Sequence, residues 1–211
     1  GSTREDCGRA GALEHAISLD NPHQAALFPS RLLNACLRAN AQQGPLDPGQ
    51  LHIAIIGAGA TGVELAAELH NTIREFLSFG LDRINPESDI KITIVEAAPK
   101  ILPALSERLS NAVIGLLKKL NVEVLTGERV TEVSALGVKT ATGKEIPAER
   151  GGWGRGRVGG AAVLACGRRL VVWVGRLEGA KPNLAGQTIY RALGCLGVED
   201  RGARDLLEAA L

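Results

Sequence analysis

The sequence predicts an α/β fold, namely a doubly wound, Rossmann-like parallel sheet with a small antiparallel β-meander. Three observations predict it. Short apolar, β-branched runs alternate with amphipathic helical patterns between residues 51 and 125, a glycine-rich turn follows the first run, and short alternating segments separated by turn residues follow the last one. Alternating strands and helices indicate a parallel sheet, because parallel neighbours must be joined by a crossover connection.

The first 50 residues predict one helix. Residues 1–19 are polar and irregular, whereas residues 22–41 carry apolar side chains at helical spacing after the pair Asn21-Pro22, which is typical of a helix start. Pro29 lies inside this pattern and is expected to kink the helix or delay its start. The turn-rich residues 44–49 mark a domain boundary.

The remaining elements follow from the spacing of their apolar residues. We expect strands of the parallel sheet at residues 51–56, 91–96 and 122–125. We expect helices at residues 60–79 and 106–120. The meander is expected at residues 130–133, 137–140 and 144–146. Beyond it the pattern weakens, and the sequence allows strands at 161–166 and 170–174 and a helix at 204–211.

Charge and glycine content predict three parts. The 211 residues carry a formal charge of +1, but residues 1–149 carry −4 and residues 150–211 carry +5. We therefore expect an N-terminal segment with one helix at 1–48, a Rossmann-like domain at 49–149, and a divergent Gly/Arg-rich linker and tail at 150–211, whose fold the sequence does not decide. Six glycines and three arginines among residues 150–160 favour a flexible linker over a nucleic-acid contact.

Composition excludes several classes of protein. No apolar run approaches the roughly 18 residues of a membrane helix, so no transmembrane segment is expected. The four cysteines form no CxxC pair, which predicts no metal site and no redox-active dithiol. No signal peptide is recognisable, so we expect a cytoplasmic location. The absence of methionine suggests a piece of a longer protein.

Residues 57–62 have the G-x-G-x-x-G pattern of dinucleotide-binding turns. We expect Gly57 to permit the tight turn out of the strand, and Gly59 to leave room where the backbone approaches a pyrophosphate. Gly62 is expected to let the next helix lie close to the strand. The first N–H groups of that helix would face the anion. The turn contributes six predicted cofactor-binding residues, namely Gly57, Ala58, Gly59, Ala60, Thr61 and Gly62.

Glu96 and Ala97, at the tip of the second strand, complete the predicted cofactor site. A carboxylate there accepts hydrogen bonds from the adenosine ribose hydroxyls and opposes a 2′-phosphate, which favours NADH over NADPH. Glu96 lies 34 residues past Gly62 instead of about 20. We attribute the surplus to a long helix and loop at 70–90. An ordinary strand-end acid remains the alternative.

Glu64 is the candidate catalytic residue. It is expected in the first turn of the helix that follows the glycines, where the helix dipole alone is sufficient reason for an acid. A carboxylate beside a pyrophosphate would be repelled, however. The alternative is therefore that its side chain points away from the phosphates, toward the nicotinamide end. The sequence leaves both interpretations open.

Two passages carry a family resemblance. Residues 55–71, IIGAGATGVELAAELHN, and residues 94–105, IVEAAPKILPAL, resemble the type II NADH dehydrogenases. These are single-subunit NADH:quinone oxidoreductases of the respiratory chain and belong to the two-dinucleotide-binding flavoprotein superfamily. The resemblance covers about residues 1–149, and its N-terminal part looks like the passage from the FAD domain into the NADH domain. It implies hydride transfer from NADH to flavin, with electrons passing on to quinone.

The resemblance also implies roles by position. It places the pyrophosphate at Gly57, Gly59 and Gly62, the adenosine ribose at Glu96, and Glu64 near the nicotinamide and the flavin. The family's FAD-binding glycine motif, its second FAD segment and its C-terminal amphipathic membrane anchor are absent from this sequence. The counterpart of a family strand of the type LVVWAAG is expected at 170–175, about twenty residues late.

We therefore expect an NADH-binding fragment that is not catalytically complete, with FAD and quinone bound by the full-length parent. That parent would lie peripherally on the cytoplasmic face of the membrane, and a homodimer is compatible with it. Three alternatives stay open. One is a sister flavoprotein such as a ferredoxin or sulfide reductase, and a second is a free-standing NADH-sensing or interaction module without catalytic activity. A disulfide reductase is disfavoured because the sequence has no CxxxxC pair.

Overall fold

The computed structural model describes residues 11–18, 22–46, 49–134, 136–147 and 161–164. The strands of this described part are β1 (Ala16–Ser18), β2 (Leu51–Ile56), β3 (Ile90–Val95), β4 (Val122–Leu125), β5 (Val130–Ser134), β6 (Gly137–Thr140), β7 (Glu145–Pro147) and β8 (Ala161–Leu164). The helices are α1 (Ala12–His15), α2 (Pro22–Ala41), α3 (Ala60–Ser78) and α4 (Glu107–Lys119). A parallel sheet has the strand order β1-β8-β2-β3-β4, and an antiparallel sheet has the order β5-β6-β7.

The predicted fold class is confirmed. The parallel strands are connected by helices, the antiparallel meander follows them, and every element predicted between residues 22 and 146 lies within one residue of its expected bounds. Pro29 does not delay α2, which begins at Pro22 and continues through it. One lost backbone hydrogen bond is outweighed by the apolar face of this helix, which buries Phe28, Leu32 and Cys36.

The expectation that residues 1–19 are irregular is wrong for α1 and β1. Both elements are too short to show a periodic pattern, and β1 depends on pairing with a strand about 145 residues later in the chain. Ala16 lies opposite Ala162 and Ile17 opposite Val163. The buried side chain of Ile17 then joins the core. Tertiary pairing, which local sequence does not encode, therefore decides this strand.

Strand β8 lies inside the parallel sheet, between β1 and β2. Its residues pair with β1 on one side and with β2 on the other, and Ile56 lies opposite Leu164. A strand within 161–166 was expected and is confirmed. Residues 170–175 lie outside the described residues, as do the expected linker 150–160 and helix 204–211. The three-part division stays a prediction. The parallel sheet takes β1 from the first predicted part and β8 from the last.

The parallel sheet separates two apolar layers. On β2, Leu51, Ile53 and Ile55 pack in one core cluster with residues of α2, α3 and α4. Ala54 and Ile56 pack in a second cluster with residues of α1 and the meander. This alternation follows from the two-residue period of a strand. Helices α2, α3 and α4 therefore cover one face, and α1 and the meander cover the other.

This topology leads us to expect a crevice at the carboxyl ends of the strands. Strand β2 lies between β3, which follows it through α3, and β8, which comes much later in the chain. Ligands of open α/β sheets bind at such a change of direction. None of the helices in the described ranges has the length and hydropathy needed to cross a membrane.

Candidate nucleotide-binding site

The glycine-rich turn begins directly after β2. Gly57 has φ = 111°, in the region that L side chains rarely adopt. Its N–H donates to the carbonyl oxygen of Val95, at 2.8 Å. The end of β2 is therefore tied to the end of β3 while the chain reverses into α3.

Gly62 is required by packing inside the protein. A Cβ at this position would overlap the carbonyl oxygen of Gly57, and it would contact Ile55 Cγ2 at 3.5 Å. Gly62 is itself buried. The first turn of α3 can therefore lie against the end of β2 only because residue 62 has no side chain, as the sequence predicts.

Gly59 differs from both. Its φ of −70° and ψ of −178° suit any residue, and a Cβ there would have no protein atom within 4 Å. Gly59 is exposed and is the N-cap of α3, without a side-chain hydrogen bond to the helix. The first N–H groups of a helix lack intrahelical acceptors, and they form an anion site where no side chain caps them. An open position beside these donors fits a pyrophosphate.

Glu96 contacts the turn directly. Its Oε2 accepts a hydrogen bond from the N–H of Ala58 at 2.7 Å, and its Oε1 accepts one from the N–H of Ala98 at 2.8 Å. The N–H of Leu102 donates to the carbonyl oxygen of Ala58 at 2.9 Å. Both backbone polar groups of Ala58, which is fully buried, are thus satisfied by the segment that follows β3.

The end of β4 fixes the main chain of Glu96. Its N–H donates to the carbonyl oxygen of Leu125 at 2.8 Å, and its carbonyl oxygen accepts from the N–H of Glu128 at 2.9 Å. The N–H of Gly127 donates to the carbonyl oxygen of Ala98 at 2.9 Å. The carboxylate is therefore presented to the glycine turn from an anchored backbone.

The predicted cofactor residues differ in their exposure to solvent. Ala58 and Gly62 are buried and support the turn, whereas Gly59 and Ala97 are exposed at the crevice. The other four predicted residues, Gly57, Ala60, Thr61 and Glu96, are partly exposed. Sequence reasoning did not include Ala98 and Leu102 in the site. Leu102 has φ = 47°, a left-handed conformation for which a leucine gives no signal.

The expectation that Glu64 lies in the first turn of its helix is wrong. Helix α3 begins at Ala60 and has no acidic residue in its first turn, so Glu64 is its fifth residue. The helix dipole acts mainly within the first turn and accounts for an acid at this position less well. Glu64 is partly exposed and takes part in an interaction within the protein.

Two titratable groups with perturbed pKa values lie at the opposite edge of the sheet from the glycine turn. His52 lies near the start of β2, at the opposite edge of the sheet, and burial together with the positive charge of Lys91 lowers its pKa. A hydrogen bond from Lys91 lowers the pKa of Glu123, which also belongs to that edge. These groups line an open groove at the amino ends of the strands. In the part that the structure describes, no cluster of His, Cys, Asp and Glu is suited to a metal ion.

The sequence matches a family of oxidoreductases. A family model described as pyridine nucleotide-disulphide oxidoreductase matches residues 1–188. The type II NADH:quinone oxidoreductase of Haemophilus influenzae is 34% identical over 168 residues, which cover 74% of this chain and 38% of that protein. That of Staphylococcus aureus is 37% identical over 124 residues, which cover 58% of this chain and 30% of that protein. The chain thus spans roughly a third of the length of these relatives.

Solved structures show the same fold. NDH2 from Plasmodium falciparum in complex with NADH matches with a TM-score of 0.62 and 20% identity, over 79% of this chain and 33% of that one. A ferredoxin reductase from Rhodopseudomonas palustris matches with a TM-score of 0.53 and 17% identity, over 79% and 33% of the two chains. With the family model spanning most of its length, the chain belongs to the pyridine nucleotide-disulphide oxidoreductase family, and within it resembles the type II NADH dehydrogenases.

Proposed function

We propose that this chain is the NADH-binding domain of a flavin-dependent NADH:quinone oxidoreductase. The observation that carries the proposal is the glycine turn, in which Gly57 and Gly62 are required by the protein itself while Gly59 is left open beside the helix donors. A nucleotide pyrophosphate explains why Gly59 also lacks a side chain. The sequence similarity to NADH:quinone oxidoreductases supports the choice of NADH.

The geometry suggests what each group does. The N–H groups at the start of α3 and the backbone at Gly59 would hold the pyrophosphate. An ionised carboxylate has about four lone-pair sites, and two of those of Glu96 are already used by Ala58 and Ala98. The remaining sites accept hydrogen bonds from the adenosine ribose hydroxyls. The negative charge opposes a 2′-phosphate, so NADH is preferred over NADPH.

The nicotinamide half belongs to the other end of the crevice. We place Glu64 near the nicotinamide, because it lies one turn beyond the phosphate-facing end of α3. FAD, held by other parts of the parent protein, supplies the hydride acceptor. In this proposal the chain presents NADH in a fixed orientation and does not complete electron transfer to quinone by itself. The parent would be cytoplasmic and peripheral on the inner face of the membrane.

Calorimetric titration of the purified chain tests the proposal. We expect saturable NADH binding with micromolar or weaker affinity and weaker binding of NADPH. The double change Glu96→Ser/Ala98→Arg should narrow or reverse this preference, because it removes the carboxylate and adds a cation for the phosphate. A chain that binds neither nucleotide would refute the proposed function. Equal affinities for the two nucleotides would remove Glu96 from ribose recognition.

A further inference from the structure

The carboxylate of Glu96 is bound on both oxygens by main-chain donors. One donor is Ala58 in the glycine turn, and the other is Ala98 in the segment between β3 and α4. Both bonds are short, as hydrogen bonds to a charged acceptor are. Ribose recognition does not require this arrangement, since a carboxylate that faces only solvent can also accept from hydroxyl groups.

We propose that Glu96 is a positioning residue that holds the glycine turn in its nucleotide-binding conformation before a nucleotide arrives. The inference rests on the proposed function and goes beyond it, since it assigns Glu96 a second role that exists in the ligand-free protein. The carboxylate links the turn after β2 to the segment after β3. The same side chain would thus hold the turn that binds the pyrophosphate and accept hydrogen bonds from the ribose.

Burial explains why the turn depends on this carboxylate. Ala58 is fully buried, so its N–H has no access to water and Glu96 Oε2 is its acceptor. A buried donor left without an acceptor is strongly unfavourable. The glycines on either side of Ala58 have large backbone freedom, and ordering them has an entropic cost. Two bonds at Ala58, from its N–H to Glu96 and from Leu102 to its carbonyl oxygen, restrict that freedom.

We call the two hydrogen bonds from Ala58 and Ala98 to Glu96 the clamp. The clamp requires a carboxylate at position 96. A glutamine at position 96 has one accepting oxygen and one donating amide nitrogen, so it can satisfy only one of the two N–H groups. At the other it would place a donor against a donor. Glu96→Gln therefore removes half of the clamp while preserving the size of the side chain.

Glu128→Gln is the matched control. Glu128 lies in the neighbouring loop, and its carboxylate accepts from the hydroxyl of Thr142 at 2.7 Å, whereas that of Glu96 accepts from Ala58 and Ala98. Amide hydrogen exchange, followed by NMR in the absence of nucleotide, compares the two variants. We expect the amide of Ala58 or Ala98 to exchange roughly tenfold faster or more in Glu96→Gln. Exchange in Glu128→Gln should equal that of the wild type at both positions.

The wild-type protein offers a test that needs no variant. Through-hydrogen-bond NMR couplings should connect the amide nitrogens of Ala58 and Ala98 with the carboxyl carbon of Glu96. If these couplings are absent and both amides exchange in Glu96→Gln as in the wild type, the clamp does not exist. This result stands whether or not the chain binds NADH, so it separates failure of the clamp from failure of the proposed function.

A second nucleotide separates positioning from ribose contact. The probe is an NADH analogue whose adenosine ribose lacks both hydroxyls. If Glu96 positions the turn, Glu96→Gln weakens binding of both NADH and the analogue at temperatures where the variant remains folded. If Glu96 acts through the ribose alone, the variant weakens binding of NADH and leaves the analogue unaffected, which would overturn the proposal.

Discussion

Gly59→Ser should make the protein slightly more stable and weaken its binding of NADH. The backbone of Gly59 already suits serine, and a side chain there would contact no protein atom. Serine is a better N-cap than glycine by a few tenths of a kcal/mol. Replacing a glycine also restricts the unfolded chain. Together these effects should raise the free energy of unfolding by about 0.5–1 kcal/mol.

The same side chain would occupy the space in which the pyrophosphate approaches the backbone. We expect the affinity for NADH to fall at least tenfold, which corresponds to about 1.4 kcal/mol of binding free energy. Urea unfolding measures the first effect, and NADH fluorescence titration measures the second. The opposite directions of the two effects are the distinctive result, because damage to the fold would lower both quantities.

Two variants control the experiment. Gly44→Ser makes the same change at an exposed loop glycine with open space around it, and it should leave the NADH affinity unchanged. Gly62→Ala should destabilise the fold by about 1–3 kcal/mol, because its Cβ would overlap the carbonyl oxygen of Gly57. If Gly59→Ser binds NADH within twofold of the wild type, no pyrophosphate lies against Gly59.

Three further predictions concern pH, the sheet and flavin. The pKa of Glu123 is lowered below 4.5, first by the hydrogen bond from Lys91, so its contribution is present above about pH 4.5 and is lost as the pH falls. Glu123→Gln should therefore reduce the loss of unfolding free energy in acid, measured with urea, by under about 1 kcal/mol, because nearly half of each side chain in the pair is exposed. Ala162→Pro places a proline in a strand paired on both sides and should lower the free energy of unfolding by about 1–3 kcal/mol. The purified chain should be colourless and lack NADH:quinone activity, so yellow flavin retained after desalting would contradict the proposed division of cofactors.

Much of the fold is readable from the sequence, because β2, α3, β3 and α4 each carry a regular apolar pattern that is long enough to recognise. The separate reasons for Gly57 and Gly62 were also predictable, since both arise between residues close in the chain. Strand β1 differs, because it is three residues long and exists through pairing with β8. Strand β8 was expected, but its place between β1 and β2 was not.

The site shows the same limit. An acid at the tip of β3 predicts ribose recognition, but its bond to Ala58 depends on how two strand ends meet across 38 residues of sequence. Leu102, whose left-handed backbone brings its N–H to the turn, has no local signature. The start of α3 at residue 60 was predicted, and Glu64, as the fifth residue of this helix, lies just beyond the first turn in which it was expected.

Mapping of NADH onto the chain by amide NMR tests the central claim most directly. As NADH is added, saturable shifts should concentrate at residues 57–62 and 96–98, the two segments that meet at the carboxyl ends of β2 and β3. The groove near His52, at the opposite edge of the sheet, should show no change. Saturable shifts confined to that groove, or no saturable shift anywhere, would contradict the account.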